Sequence, residues 1–169
     1  MTGVQTCALP ILGFLVLRYD LPFRLASKPP VGAQQARDRE GIARAAELLA
    51  AEAPGAPLYL GGHSYGGRQT SMLAAERPDL ACALLLLGYP LHPPKQPAKL
   101  RTEHFPALCT PSLFIHGSKD EFATNAELET ALRRIPARTA VEHLAGKGHS
   151  LAPDLASQIA ERFVTFTRE

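Results

Sequence analysis

Residues 58–68, Leu58-Tyr-Leu-Gly-Gly-His-Ser-Tyr-Gly-Gly-Arg68, set one serine among four glycines directly after a short apolar run. A flexible glycine-rich loop would tolerate that composition but would not explain its flanks. Leu58 to Gly62 reads as a strand, and Tyr65 to Glu76 as a helix stopped near Pro78. Gly62-His63-Ser64-Tyr65-Gly66 therefore fits G-x-S-x-G between a strand and a helix, the setting in which a serine is exposed on a sharp turn above a sheet. Such a turn forces the serine into an unfavourable backbone conformation and crowds the residues two before and two after it, so glycine is expected at both. The helix that follows aims free amides at the same point. Two other uses of the glycines fail on spacing. No G-x-G-x-x-G register exists, and Gly67 precedes Arg68 and Gln69 where a phosphate loop needs Lys and then Ser or Thr.

Working outward, the same strand-then-helix unit recurs. Phe14 to Tyr19 is a short apolar run that reads as a buried strand, followed by a charged, proline-bearing connection to about Gly32. Ala33 to Ala53 reads as a helix with Ile42, Ala45, Ala46, Leu49 and Ala50 on one face. Ala83 to Gly88 is an unalternating apolar strand, which implies burial on both faces. Ser112 to His116, a helix from about Asn125 to Arg134, a short strand Val141 to Leu144 and a closing helix from about Ala152 to Thr167 complete the series. The fold class is α/β: a parallel sheet of about five strands with helices on both faces. Tyr89 to Pro111, with six prolines, is too long for a tight connection and reads as a surface excursion or a pocket wall.

The bulk numbers fit one domain of 169 residues with 46% hydrophobic and 20% charged residues. A formal charge of +2, with the cations spread, gives no reason to expect nucleic acid or a membrane as partner. Cys7, Cys82 and Cys109 form neither a disulfide framework nor a zinc pattern, so a reducing, cytoplasmic setting is expected. Ala8 to Leu17 has the length of a signal-peptide core, but no basic residue precedes it and no small-residue cleavage site follows it. The peptide "GVQTCALPI" looks like translated sequencing adapter. Residues 1–12 are accordingly expected to be a non-native or disordered segment, and 13–169 the folded domain, with earlier strands missing.

A serine hydroxyl needs a base to take its proton and an acid to orient that base. Among six histidines, His149 in "GKGHS" is best placed, in the loop between the last strand and the last helix. His143 lies inside a strand, His63 inside the turn, and His116 ends a strand, while His92 and His104 have no evident partner. Asp120 in "IHGSKDEF" follows a strand and is the candidate acid, with Glu121 beside it as the alternative. Asp20 precedes the serine, and Asp79 and Asp154 are simpler as helix-end residues. The order Ser64, Asp120, His149 is that of α/β-hydrolases.

The chain resembles the α/β-hydrolase superfamily and, more narrowly, its small dienelactone-hydrolase-like branch with the KANL/Tex-type proteins. The narrower likeness rests on "GGHSYGGR", "LLLLGYPLHPP", "KLRTEHFPALCTPSLFIHGSKDEF" and "GKGHSL". It implies Ser64 as nucleophile, Asp120 as orienting acid, His149 as general base and the Tyr65 N–H as one oxyanion donor. The second oxyanion donor of that family comes from an earlier loop that has no counterpart before Phe14, and Gly13 is not assigned to the role. The implied activity is hydrolysis of a small-molecule ester, lactone or thioester, with no metal or organic cofactor. The alternative is a non-catalytic interaction module on the same scaffold, using Tyr89 to Pro111 to dock a protein partner.

Overall fold

The computed structural model describes residues 8–27 and 31–169. Four parallel strands, β1 (Tyr59–His63), β2 (Ala83–Leu87), β3 (Ser112–Gly117) and β4 (Thr139–Leu144), form one sheet in the order β1-β2-β3-β4. The helices are α1 (Ala8–Ile11), α2 (Pro22–Leu25), α3 (Ala33–Glu52), α4 (Tyr65–Glu76), α5 (Asn125–Leu132) and α6 (Ala156–Arg168). Parallel neighbours require a crossover each time, and α4, the excursion after β2, and α5 supply the three.

The parity of the central strands explains why both faces are covered. Leu84 and Leu86 of β2 and Phe114 of β3 bury into one core with Ala74 of α4 and Leu128 and Leu132 of α5. Ala83, Leu113 and Ile115 point the other way, into a second core with Leu144 and with Ile159, Phe163 and Phe166 of α6. Successive residues of a strand face opposite sides, so an unalternating apolar strand can only belong between two layers. Helix α3 packs on α4 through Ile42, Ala43 and Leu73.

Three expectations need correction. The sheet has four strands among the described residues, and Phe14 to Tyr19 is not one of them. Phe14 instead turns its ring onto Tyr59 and Phe163, at 5.8 and 6.4 Å between centroids, while Leu15 and Leu17 stay exposed. An apolar run signals burial of some side chains without fixing which surface receives them. On α3, Ala43 is buried and Ala50 exposed, and the polar Gln34 and Asp38 share the inner face. The Tyr89 to Pro111 segment is not only surface: Tyr89, Leu91, Phe105 and Leu108 are fully buried in the first core. The connection after Tyr19 includes the short helix α2, and residues 28–30 lie outside the described residues. Of the expected N-terminal segment, residues 1–7, with Cys7, are likewise outside them; residues 8–11 form α1, whose Leu9 packs on the second core.

Candidate active site

Ser64 sits at the C-terminal end of β1 as the residue preceding α4, with φ 53° and ψ −121°. Its N–H is held by the Leu87 carbonyl at 2.8 Å, and its side chain makes no helix-capping bond, which leaves Oγ available. The crowding expected at the turn is present at Gly62, while on the other side it falls on Gly67 and not on Gly66. A Cβ on Gly62 would lie 2.7 Å from Gly66 C and Gly67 N, and one on Gly67 would lie 2.6 Å from Gly62 O. A Cβ on Gly66 would meet only Leu21 Cδ1, at 3.9 Å. The forbidden positions are thus Gly62 and Gly67; Gly66 is close by backbone alone.

His149 arrives from the loop after β4. That loop passes tightly over the end of β3, where a Cβ on Gly117 would strike the carbonyls of Gly148 and Lys147. His149 Nε2 lies 2.7 Å from Ser64 Oγ, and Nδ1 lies 2.9 Å from Asp120 Oδ2. A carboxylate only accepts, so Nδ1 carries the proton, and the Nε2 of the neutral ring accepts from the serine hydroxyl. The imidazole stacks on Phe122, at 4.2 Å between centroids.

Asp120 is buried on the turn after β3. Burial alone would raise its pKa, but hydrogen bonds from His149 and from the Phe122 N–H, at 2.8 Å to Oδ1, hold it below the ordinary carboxylate range. It is therefore an anion at neutral pH. Glu121, the alternative acid, is exposed, and the carboxylate hydrogen-bonded to His149 is that of Asp120. Asp20 pairs with Arg24 at 3.9 Å on the surface, and Asp79 and Asp154 lie in short 3-10 turns.

The remaining histidines sort by their partners. His116 is fully buried behind Asp120. Its Nε2 donates to the Ala123 carbonyl at 2.9 Å, its Nδ1 stands 3.8 Å from Asp120 Oδ2, and desolvation lowers its pKa. His143 meets Glu129 at 2.8 Å near the surface. His92 and His104, which the sequence left without partners, do have them. His92 Nδ1 donates to the Pro93 carbonyl at 2.8 Å, and His104 Nε2 bonds Ser71 Oγ at 2.8 Å. His63 Nε2 lies 2.9 Å from the carbonyl oxygen of His149.

Tyr65 opens α4, so its N–H is one of the unpartnered amides of a helix start, next to Ser64. Its side chain reaches the other way: Tyr65 OH donates to Asp38 Oδ2 at 2.6 Å, while Asp38 Oδ1 accepts from the Phe23 N–H and from Gln34 Nε2. Nothing in the motif pointed to Asp38. A carboxylate four residues before Ile42, on the apolar face of α3, was the available signal.

A groove of about 470 Å³ opens beside Ser64, bounded by Leu21, Phe23, Ile42, Leu49 and Leu60. A larger one, about 670 Å³, lies between residues 12–18, β1 and α6 and does not include Ser64. The smaller groove is the one from which a bound molecule can meet the hydroxyl. Among the described residues no cluster of His, Cys, Asp and Glu is placed to hold a metal, and no helix is long and apolar enough to cross a membrane.

Comparison with known proteins agrees with this architecture. TT1662 from Thermus thermophilus superposes with a TM-score of 0.74 at 24% identity, over 98% of this chain and 82% of that one. A monoacylglycerol lipase from Paleococcus ferrophilus gives 0.61 at 13% identity, over 79% and 74%. A dienelactone hydrolase from Anabaena variabilis gives 0.62 at 20% identity, over 79% and 60%. These likenesses establish a shared fold. The family model described as "Alpha/beta hydrolase domain" matches residues 8–164, nearly the whole sequence, and the chain belongs to that family.

Proposed function

We propose that this chain is a serine hydrolase acting on a small ester, lactone or thioester through an acyl-enzyme intermediate. The observation that carries the reading is the unbroken chain of hydrogen bonds from Ser64 through His149 to Asp120, at 2.7 and 2.9 Å. Ser64 Oγ attacks the substrate carbonyl carbon as its proton passes to His149 Nε2. Ionised Asp120 fixes the tautomer and stabilises the imidazolium. The oxyanion forms against the Tyr65 N–H at the start of α4. His149 then hands its proton to the departing alkoxide or thiolate as the C–O or C–S bond breaks, leaving acyl-Ser64. A water deprotonated by His149 attacks the acyl carbon, which releases the acid and restores the serine. The groove walled by Leu21, Phe23, Ile42 and Leu49 suits a small apolar substituent on the scissile carbonyl.

The test is Ser64→Ala, measured by fluorophosphonate labelling and by turnover of short-chain esters and thioesters. The substitution should abolish labelling and cut turnover at least about 10³-fold. Turnover that survives it would overturn the reading, and partner capture without turnover in the unmodified protein would favour the interaction module instead.

A further inference from the structure

The variable residue of the serine turn makes a contact that the proposed reaction does not yet use. His63 ends β1, one residue before Ser64, and its ring leans across the C-terminal end of β2 toward His149. His63 Nε2 lies 2.9 Å from the His149 carbonyl oxygen. A carbonyl can only accept, so His63 donates. The close packing has a visible requirement at residue 88. A Cβ there would lie 2.9 Å from His149 O and 3.1 Å from His63 Nε2, and the residue is Gly88, at φ +51°.

This bond matters because of how little else holds the His149 backbone. The loop is tied before His149, where Lys119 N–H donates to Lys147 O and Gly146 N–H to Ser118 Oγ. It is anchored again from Leu151, whose side chain is buried in the second core, and at Ala152, whose carbonyl accepts from the Leu155 N–H. Among the described residues, His149 has no backbone–backbone hydrogen bond, and the bond from His63 is the one made to its main chain. Its imidazole is fixed by Asp120 at Nδ1 and by Phe122 on one face. Those contacts set the ring relative to β3 and its following turn, whereas Ser64 directly follows β1. His63 is the group that ties the base's main chain directly to the strand carrying the hydroxyl.

We infer that His63 is a positioning residue: by donating to the His149 carbonyl it registers the general base against Ser64, its own neighbour in sequence. The inference rests on the serine-hydrolase reading for its kinetic consequence, though not for the contact itself. His63 is exposed, so replacing it removes the donor without opening a cavity in either core.

The experiment compares His63→Leu, which has no donor, with His63→Gln, whose amide can reach the same carbonyl. Both are measured for kcat and KM on a short-chain ester, for melting temperature, and for amide hydrogen exchange over residues 147–151. His63→Leu should lower kcat by about 10- to 100-fold, the scale of an ångström-sized misplacement of a catalytic group. KM and melting temperature should stay near the unmodified values, and exchange at residues 149–151 should rise. His63→Gln should restore most of kcat and the exchange protection. Unchanged exchange and kcat in His63→Leu would overturn the inference. So would equal damage in both variants accompanied by a lowered melting temperature. If the unmodified protein shows no Ser64-dependent turnover, the hydrolase reading falls separately, and the exchange comparison alone decides the role of His63.

Discussion

Ser64 holds a left-handed backbone conformation that costs roughly 1–3 kcal/mol for a residue with a side chain. That cost is met by the glycine backbone packed against it, and the two glycines involved are distinguishable by experiment. In Gly67→Ala the new methyl would lie 2.6 Å from Gly62 O, a backbone atom at the end of β1 that cannot rotate aside. Gly66→Ala would place its methyl in ordinary contact, 3.9 Å from Leu21 Cδ1. Gly67→Ala should therefore destabilise the protein by about 1–3 kcal/mol in urea unfolding. Gly66→Ala should be neutral, or stabilising by up to about 1 kcal/mol because alanine favours the first turn of α4. The reverse ranking would show that the turn is crowded elsewhere. At this scale the sequence was legible where chemistry leaves a short motif: Ser64, Asp120 and His149 were picked out from their positions after strands, and their side chains lie within hydrogen-bonding distance in the order Ser64–His149–Asp120. It was silent on which glycine is indispensable, because G-x-S-x-G records a spacing and the collision runs one residue further, to Gly67. His63 was passed over for a related reason. Its partner is a main-chain carbonyl 86 residues away, and backbone acceptors have no letter in a sequence.

Between elements, the irregular segments carry more of the packing than their composition announces. The strands β2 and β3 were evident because their apolar residues run without a break, and α3 and α4 because their boundaries are marked by glycine and proline. The excursion after β2 has no period to read, yet Tyr89, Leu91, Phe105 and Leu108 are buried. It is pinned to α4 by His104 Nε2 and Ser71 Oγ at 2.8 Å, and burial, aided by the charges of Arg68 and Arg39 against that of Glu103, pushes the His104 pKa down to about 4. An unfolded histidine titrates near 6.5, so above that pH neither state is charged and the group contributes no pH dependence. As the pH falls from about 6.5 to 4, the unfolded chain binds a proton that the folded protein refuses, and stability is lost by at most about 3 kcal/mol. His104→Gln should flatten the fall in unfolding free energy across that window while leaving the steeper loss below it. Asp120 is shifted in the same direction, though it is the charged form that is held in the fold: its stabilisation is present above about pH 3.8 and disappears as the pH drops through its depressed folded value. A second inter-element tie is Asp38, buried on α3, which accepts from Tyr65 OH, Gln34 Nε2 and Phe23 N–H. Tyr65→Phe removes one of three donors to a buried carboxylate and should cost about 1–3 kcal/mol. Asp38→Ala should cost more, since it strands two donors besides. Equal melting temperatures for both variants and the parent would refute the tie.

For the molecule as a whole, the sheet ends in two edge strands, each paired on one side among the described residues. Strand β4 lies at one edge. At the opposite edge β1 pairs with β2 alone among the described residues, so a row of its backbone groups faces outward. The sequence-based expectation of a strand at Phe14 to Tyr19 would have lengthened the sheet. In its place is a chain segment that leaves a groove of about 670 Å³ walled by Leu15, Tyr59, Leu87, Ile159 and Phe163. Leu12 is 41% exposed and Leu15 58% exposed beside that groove. Unpaired strand edges and contiguous apolar surface both favour association with a second copy, and a net charge of only +2 offers little repulsion. The protein should accordingly show a weight-average mass that climbs above the monomer value as its concentration is raised in sedimentation experiments. Changing Leu12 and Leu15 together to lysine should return it to the monomer, because the charges sit on the lip of the groove. Neither residue borders the smaller groove at Ser64, so fluorophosphonate labelling of the double variant should match that of the parent. A parent that stays monomeric at high concentration would mean the outer edge of β1 is already shielded. Association that persists in the lysine variant would move the sticky surface elsewhere.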